Sequence, residues 1–131
     1  SMSKHAIEAF ADSLAAQMAP LGVQVSVIEP GNYNSEIGKS AAKRFGVDPR
    51  LADRSNYKPP DEVAEAVTQA LFEPSPKRRY MVVPNQTEAE WTIKKAIEQL
   101  VQLNEGQAYT YDREAMVRML DEALANARPK R

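Results

Sequence analysis

Two short apolar segments with a helical pattern between them place the strongest constraint on the fold. Residues 23–29 are β-branched and alternating, then continuously apolar, which predicts a strand that is buried on both faces near its end and stopped by Pro30-Gly31. Residues 79–83 predict a second strand, and residues 60–72 have the apolar spacing of a helix. Because a helix connects them, the two strands are expected to be parallel, as in a β-α-β unit.

Further helical patterns lie on both sides of this unit. Residues 3–18 have apolar side chains three or four positions apart, which predicts a helix. Thr87 and Glu90 have the spacing of a capping box at the start of a helix that ends near residue 104, and Asp112 is expected to cap a final helix. Since stable sheets usually have three or more strands, the pattern implies more strands than the chain contains.

Composition excludes several classes of function. The chain of 131 residues has no cysteine, which rules out disulfides, thiolate metal sites and cysteine nucleophiles, and its single histidine cannot form a histidine-rich metal site. The net charge of −1 gives no electrostatic basis for nucleic-acid binding. The apolar runs are far shorter than the roughly 20 residues of a membrane span. No segment has the pattern of a secretory signal, and we expect a cytoplasmic location.

Two motifs and the distance between them point to a family. Ser3-Lys4 matches the end of a Tyr-x-x-x-Lys motif, and the helix that follows has the pattern typical after that lysine. About 25 residues further on, the strand ends in Pro30-Gly31, with a hydroxyl residue, Ser35, four positions after the glycine. Together these features resemble the short-chain dehydrogenase/reductase (SDR) family, clearly over residues 1–38.

The resemblance extends, less closely, over residues 60–84 and implies an α/β fold. We expect residues 1–84 to form the C-terminal part of a Rossmann-type doubly wound parallel sheet, and residues 85–131 to form a helical C-terminal extension. The motif's tyrosine would fall immediately before Ser1, and no Gly-x-x-x-Gly-x-Gly loop occurs in the chain. We therefore expect the chain to be the C-terminal half of such an enzyme.

The resemblance also implies an activity. Enzymes of this family are NAD(P)-dependent oxidoreductases that interconvert an alcohol and a carbonyl on a small-molecule substrate. The intact enzyme would use NAD or NADP, whereas this chain alone is expected to be inactive and to bind neither. The alternative hypothesis is a self-associating interaction module without catalysis, and in either case we expect a homo-oligomer that forms through helix 3–18.

Five residues are candidates for the site that the resemblance implies. Lys4 would lower the pKa of the motif's tyrosine and bind the nicotinamide ribose, although an arbitrary lysine in a first helical turn is usually only solvated. Pro30 and Gly31 would let the backbone approach the nicotinamide, or simply end a strand. Ser35 would bond the carboxamide, cap the following helix, or do both. Tyr33 would pack near the nicotinamide or fill a hydrophobic corner.

Three other segments carry weaker expectations. Residues 36–58, with a short helix over residues 40–45, would form a substrate lid or an ordinary surface loop. Trp91 is expected to anchor a core or an interface. The basic run 77–79 is expected to be solvated.

Overall fold

The structure of the chain is a computed structural model that describes residues 2–48, 50 and 53–127. The described part divides along the chain into two compact units, residues 1–89 and 90–131. A short 3₁₀ helix, Ala19–Leu21, follows the first α-helix. The regular elements among the described residues are α1 (Met2–Met18), β1 (Val27–Pro30), α2 (Ile37–Phe45), α3 (Asp61–Phe72), β2 (Arg79–Val82), α4 (Gln86–Asn104) and α5 (Arg113–Ala127). The expected boundary between residues 84 and 85 stays a prediction.

The two strands form a parallel pair, as the β-α-β pattern predicts. Val27 pairs with Arg79 at one end of the ladder and Pro30 pairs with Val82 at the other. Two helices, α2 and α3, separate the strands along the chain, and α3 contacts both of them. The first unit is thus a mixed α/β arrangement consistent with part of a Rossmann-type sheet.

The first strand is shorter than its sequence pattern predicts. Residues 23–26 are not in the ladder, and β1 begins only at Val27. The chain opposite them runs through Pro74 and Pro76, which have no N–H to donate to a ladder. Side chains replace the ladder, since the Ser26 hydroxyl donates to the Lys77 carbonyl at 2.8 Å. Only Val27 of this strand is buried, so the expectation of burial on both faces is wrong.

Helix starts differ from the predictions in informative ways. The lid helix α2 begins at Ile37, three residues before the expected start. The prediction that Thr87 caps the next helix is wrong, because α4 already begins at Gln86. Asn85 caps it instead, since its side-chain oxygen accepts the Glu88 N–H at 2.9 Å. The Asp112 cap is confirmed, since its side-chain oxygen accepts the Ala115 N–H at 2.8 Å.

Two arginines join α1 to β2. Arg78 and Arg79 both bond the Asp12 carboxylate, at 2.9 and 2.7 Å. Arg78 also donates to the Ala11 carbonyl at 2.6 Å, and Arg79 donates to Glu29 of β1 at 2.8 Å. The expectation that the basic run is only solvated is therefore wrong for these two residues, because each guanidinium satisfies several acceptors of the chain itself.

The buried core is small and lies in the first unit. Six described residues are buried, and all of them are hydrophobic or aromatic: Ala11, Val27, Tyr33, Ala42, Ala66 and Tyr80. No described residue of the second unit is buried, and Trp91 is 65% exposed, so it does not anchor a core of this chain. Large apolar side chains of α4 and α5 are likewise exposed.

The second unit holds an apolar groove. Asn104, at the end of α4, exchanges two hydrogen bonds of 2.9 Å with the backbone of Tyr111, which closes the connection to α5. Leu100, Leu103, Met116 and other side chains of the two helices line a cavity of about 380 Å³. Within the part of the chain that the structure describes, no helix is long and apolar enough to cross a membrane.

Candidate functional site

The carboxyl ends of the two parallel strands meet at one edge of the sheet. β1 ends at Pro30, and we call Pro30 together with the next five residues, 31–35, the Pro-Gly loop. β2 ends beside it, because Pro30 pairs with Val82. In open α/β sheets, ligands bind beyond the carboxyl ends of the strands. This edge is therefore where the fold itself places a candidate site.

Gly31 is required by close packing within the chain. Its N–H donates to the Val82 carbonyl at 2.7 Å, which continues the ladder past the strand. A Cβ atom at this position would lie 2.5 Å from Glu88 Oε2, 3.0 Å from Val83 Cγ1 and 3.1 Å from Pro84 Cδ. Its φ lies outside the left-handed region, so the reason for glycine here is space and not backbone conformation.

Glu88, in the first turn of α4, fills that space and bonds the loop. The Asn32 N–H donates to Glu88 Oε2 at 2.9 Å, while the Asn85 cap holds the backbone of Glu88. A carboxylate that accepts a backbone N–H makes a charge-assisted bond. The sequence predictions missed Glu88, although the spacing of Asn85 and Glu88 is that of a capping box and could have drawn attention to it.

Tyr33 connects the loop to α3. Its side chain is 3% exposed, and its hydroxyl donates to Glu62 Oε2 at 2.6 Å. Burial, the hydrogen bond to Glu62 and the negative charges of Glu62 and Glu88 raise the pKa of Tyr33 to about 12. Tyr33 thus fills a corner, as one of the two interpretations of the sequence predicts, but its polar end is also bonded.

Lys58 lies on the other side of Glu62. Its ammonium donates to Glu62 Oε1, and its carbonyl accepts the Asn34 N–H at 2.9 Å. The hydrogen bond from Lys58, and then that from Tyr33, lower the pKa of the Glu62 carboxyl. The sequence predictions did not identify this role of Glu62, which has the position of an ordinary acidic residue in the first turn of α3.

Pro30 and Ser35 are exposed at the two ends of the Pro-Gly loop. The N-cap residue of α2 is Glu36, with no side-chain capping bond, so the expectation that Ser35 caps this helix is wrong. The predicted bond from Ser35 to a carboxamide stays a prediction.

Lys4 lies in the first turns of α1 and is exposed. Among the described residues, no hydrogen bond or ion pair that we identify joins Lys4 to the Pro-Gly loop. The structure thus groups Pro30, Gly31, Tyr33 and Ser35 at the sheet edge and does not bring Lys4 into contact with them.

The predicted lid contains a cavity of its own. α2 and residues 53–57 line an open pocket of about 330 Å³, whose side chains include Ala42, Phe45 and Tyr57. The Arg54 guanidinium lies 5.6 Å from the centre of the Tyr57 ring, within the range of a cation–π contact. In the described part of the chain, no cluster of three or more histidine or acidic side chains has the arrangement of a metal site.

Comparison with known proteins supports the resemblance. The chain is 35% identical over 78 residues to "Dehydrogenase/reductase SDR family protein 7-like" of Drosophila melanogaster, covering 58% of this chain and 24% of that protein. It is 40% identical over 55 residues to "Uncharacterized oxidoreductase YusZ" of Bacillus subtilis, covering 42% of this chain and 19% of that protein. It is 31% identical over 106 residues to "D-beta-hydroxybutyrate dehydrogenase, mitochondrial" of Rattus norvegicus, covering 60% of this chain and 31% of that protein.

No family model matches the sequence, and no solved structure matches it. The chain spans between about a fifth and a third of the length of the relatives named above. Over about half of its length the chain is therefore similar to short-chain dehydrogenase/reductase proteins, and its parallel strand pair is consistent with that similarity.

Proposed function

We propose that the chain supplies the nicotinamide side of an NAD(P)-dependent oxidoreductase that interconverts an alcohol and a carbonyl on a small molecule. The relatives are named as dehydrogenases, reductases and oxidoreductases, which supports this class of reaction. The observation that carries the proposal is the Pro-Gly loop at the carboxyl edge of the sheet, bonded through Gly31 to β2 and through Asn32 to α4.

The proposed contacts use the five residues that the sequence singles out. Lys4, Pro30 and Ser35 are exposed and are therefore available to a ligand. The Ser35 hydroxyl would bond the carboxamide of the nicotinamide. The backbone of Pro30 and Gly31 would lie against the nicotinamide ring, and Tyr33 would support the loop from its inner side. When bound, the nicotinamide supplies or accepts the hydride. Lys4 would bond its ribose and stabilise the phenolate form of the reacting tyrosine, since an opposite charge nearby lowers the pKa of a phenol.

The 131 residues taken alone lack two essential parts of such an enzyme. They contain neither the tyrosine of the Tyr-x-x-x-Lys motif nor a glycine-rich phosphate loop, since the five glycines are Gly22, Gly31, Gly38, Gly46 and Gly106. We therefore expect no turnover and no measurable affinity for NAD or NADP. Absorbance at the NAD(P)H wavelength, with a panel of carbonyls, tests this expectation. A nicotinamide-dependent rate from the purified chain would overturn it.

A second candidate function, self-association through α1, has its own observation. Ile7 and Phe10 on this helix are 63% and 66% exposed, which leaves an apolar face in contact with water. Light scattering of the chain should show a species larger than a monomer, and Phe10→Ser should reduce its mass. Phe45→Ser on α2, where the side chain is 75% exposed, is the matched control. A monomer at high concentration would exclude this function.

A further inference from the structure

Four residues close a ring of hydrogen bonds next to the Pro-Gly loop. The Tyr33 hydroxyl donates to one oxygen of Glu62 at 2.6 Å, and the Lys58 ammonium donates to the other. The Lys58 carbonyl accepts the Asn34 N–H at 2.9 Å, and Asn34 follows Tyr33 in the chain. We call this set, Tyr33, Asn34, Lys58 and Glu62, the neck ring. Each bond in it supports the next, because the shared carboxylate fixes both of its donors.

The neck ring also joins the two ends of a long segment. Residues 35–57, which include α2, connect Asn34 to Lys58, and both of these flanking residues belong to the neck ring. The backbone bond between these two residues joins the ends of the segment. The base of the segment is therefore attached to the first turn of α3 through Glu62.

We propose that Tyr33 is a positioning residue, which acts through the neck ring to hold the Pro-Gly loop on α3. Its hydroxyl is buried and bonded to Glu62, so it acts on Asn34 and on Ser35 beyond it. That this positioning also orients Ser35 toward a nicotinamide rests on the proposed function. The positioning of the loop itself is independent of the proposed function.

The remainder of the loop has separate attachments, which makes the proposal selective. Gly31 bonds the carbonyl of Val82 in β2, and Asn32 bonds Glu88 of α4. Neither contact includes a member of the neck ring. Loss of the Tyr33 hydroxyl should therefore free Asn34 while Gly31 and Asn32 stay protected.

Amide hydrogen exchange of the full chain, followed residue by residue by NMR, tests this. Tyr33→Phe should accelerate exchange at Asn34 about tenfold, as expected when a hydrogen bond to a charged acceptor is lost. Exchange at Gly31 should stay within about twofold of the original rate. Tyr57→Phe, which removes the hydroxyl of a tyrosine that is 44% exposed, should change neither amide.

Variants of the acceptor provide the second arm. Glu62→Ala removes both acceptor oxygens and should free Asn34 as Tyr33→Phe does. Glu62→Gln keeps an oxygen that can accept the Tyr33 hydroxyl, and should restore most of the protection. Asp61→Asn, in the same helical turn, is the matched control and should have no effect.

The outcomes separate positioning from general stability and from cofactor chemistry. Unchanged exchange at Asn34 in Tyr33→Phe and Glu62→Ala, or equal acceleration at Gly31 and Asn34, would overturn the proposal. None of these experiments contains a nicotinamide. The role of the neck ring can therefore be confirmed even if the proposed function is wrong, and the proposed function can be correct even if the role of the neck ring is not.

Discussion

Replacement of Gly31 by alanine tests the packing at the edge of the sheet most severely. The new Cβ would lie 2.5 Å from Glu88 Oε2, closer than any ordinary contact, and 3.0 and 3.1 Å from Val83 and Pro84. The carboxylate can move away, but only by giving up its 2.9 Å bond from the Asn32 N–H. The Pro84 ring has no such freedom, because its atoms are fixed by the chain.

Two costs add to give the expected destabilisation. Overpacking against Val83 and Pro84 typically costs about 1–3 kcal/mol of unfolding free energy. The lost bond to Glu88 adds about 1 kcal/mol, the net value of an ordinary hydrogen bond, because the site is exposed to solvent. We therefore expect Gly31→Ala to lower the free energy of unfolding by about 2–4 kcal/mol.

Urea denaturation followed by circular dichroism measures this, and a double-mutant cycle identifies the cause. In a Glu88→Ala background, both the closest clash and the bond are already absent, so Gly31→Ala should cost about 1 kcal/mol less. Gly22→Ala is the contrasting control. Gly22 has a φ of 72° and nothing within 4 Å of a Cβ, so alanine there costs about 1 kcal/mol of backbone strain in either background.

Two results would refute the packing argument. One is a change of less than about 0.5 kcal/mol in Gly31→Ala, which is the scatter expected for an ordinary surface substitution. The other is additivity with Glu88→Ala, which would mean that the carboxylate does not occupy the space beside Gly31.

Three further predictions concern charge and capping. The pKa of Tyr33 rises from 10.0 to about 12 on folding, so between pH 9 and 11 the unfolded chain loses its proton first and the free energy of unfolding should fall by about 1.3 kcal/mol. Tyr33→Phe should lack this part of the alkaline loss in urea titrations, and an identical slope would contradict the assignment. Asn85→Ala removes the N-cap of α4 and should lower the free energy of unfolding, measured by thermal unfolding, by about 1 kcal/mol. Thr87→Ala should change it very little, and equal effects of the two substitutions would be evidence against the observed cap. Asp12→Ala should lower stability by up to about 1 kcal/mol at low salt and by less at high salt, and a loss that salt does not change would exclude an electrostatic origin.

The elements whose signals are local could be predicted from the sequence. The parallel strand pair follows from two apolar runs with a helix between them, and the Asp112 cap follows from its position before an apolar stripe. The start of β1 could not be predicted, because the ladder depends on what lies opposite. Residues 23–26 look like strand, but they face a segment with two prolines.

The candidate site divides in the same way. The Pro-Gly loop can be found from its motif, but its supports come from distant parts of the chain. Tyr33 and Glu62 are 29 positions apart, and Asn32 and Glu88 are 56 positions apart. A pattern of local spacing contains no signal for such pairs. The acidic residues that hold the loop therefore resemble ordinary first-turn residues of α3 and α4.

The central claim is that this chain supplies the nicotinamide side of an oxidoreductase, with Lys4 as a participant. The most direct measurement is the nicotinamide-dependent rate of a chimera in which residues 3–84 replace the corresponding segment of the rat relative. We expect the folded chimera to turn over an alcohol with NAD or NADP, and Lys4→Ala to lower its rate about a hundredfold. Lys77→Ala, an exposed lysine before β2 and outside the predicted lid, should leave the rate unchanged. A folded chimera without activity, or with a rate independent of Lys4, would contradict the claim.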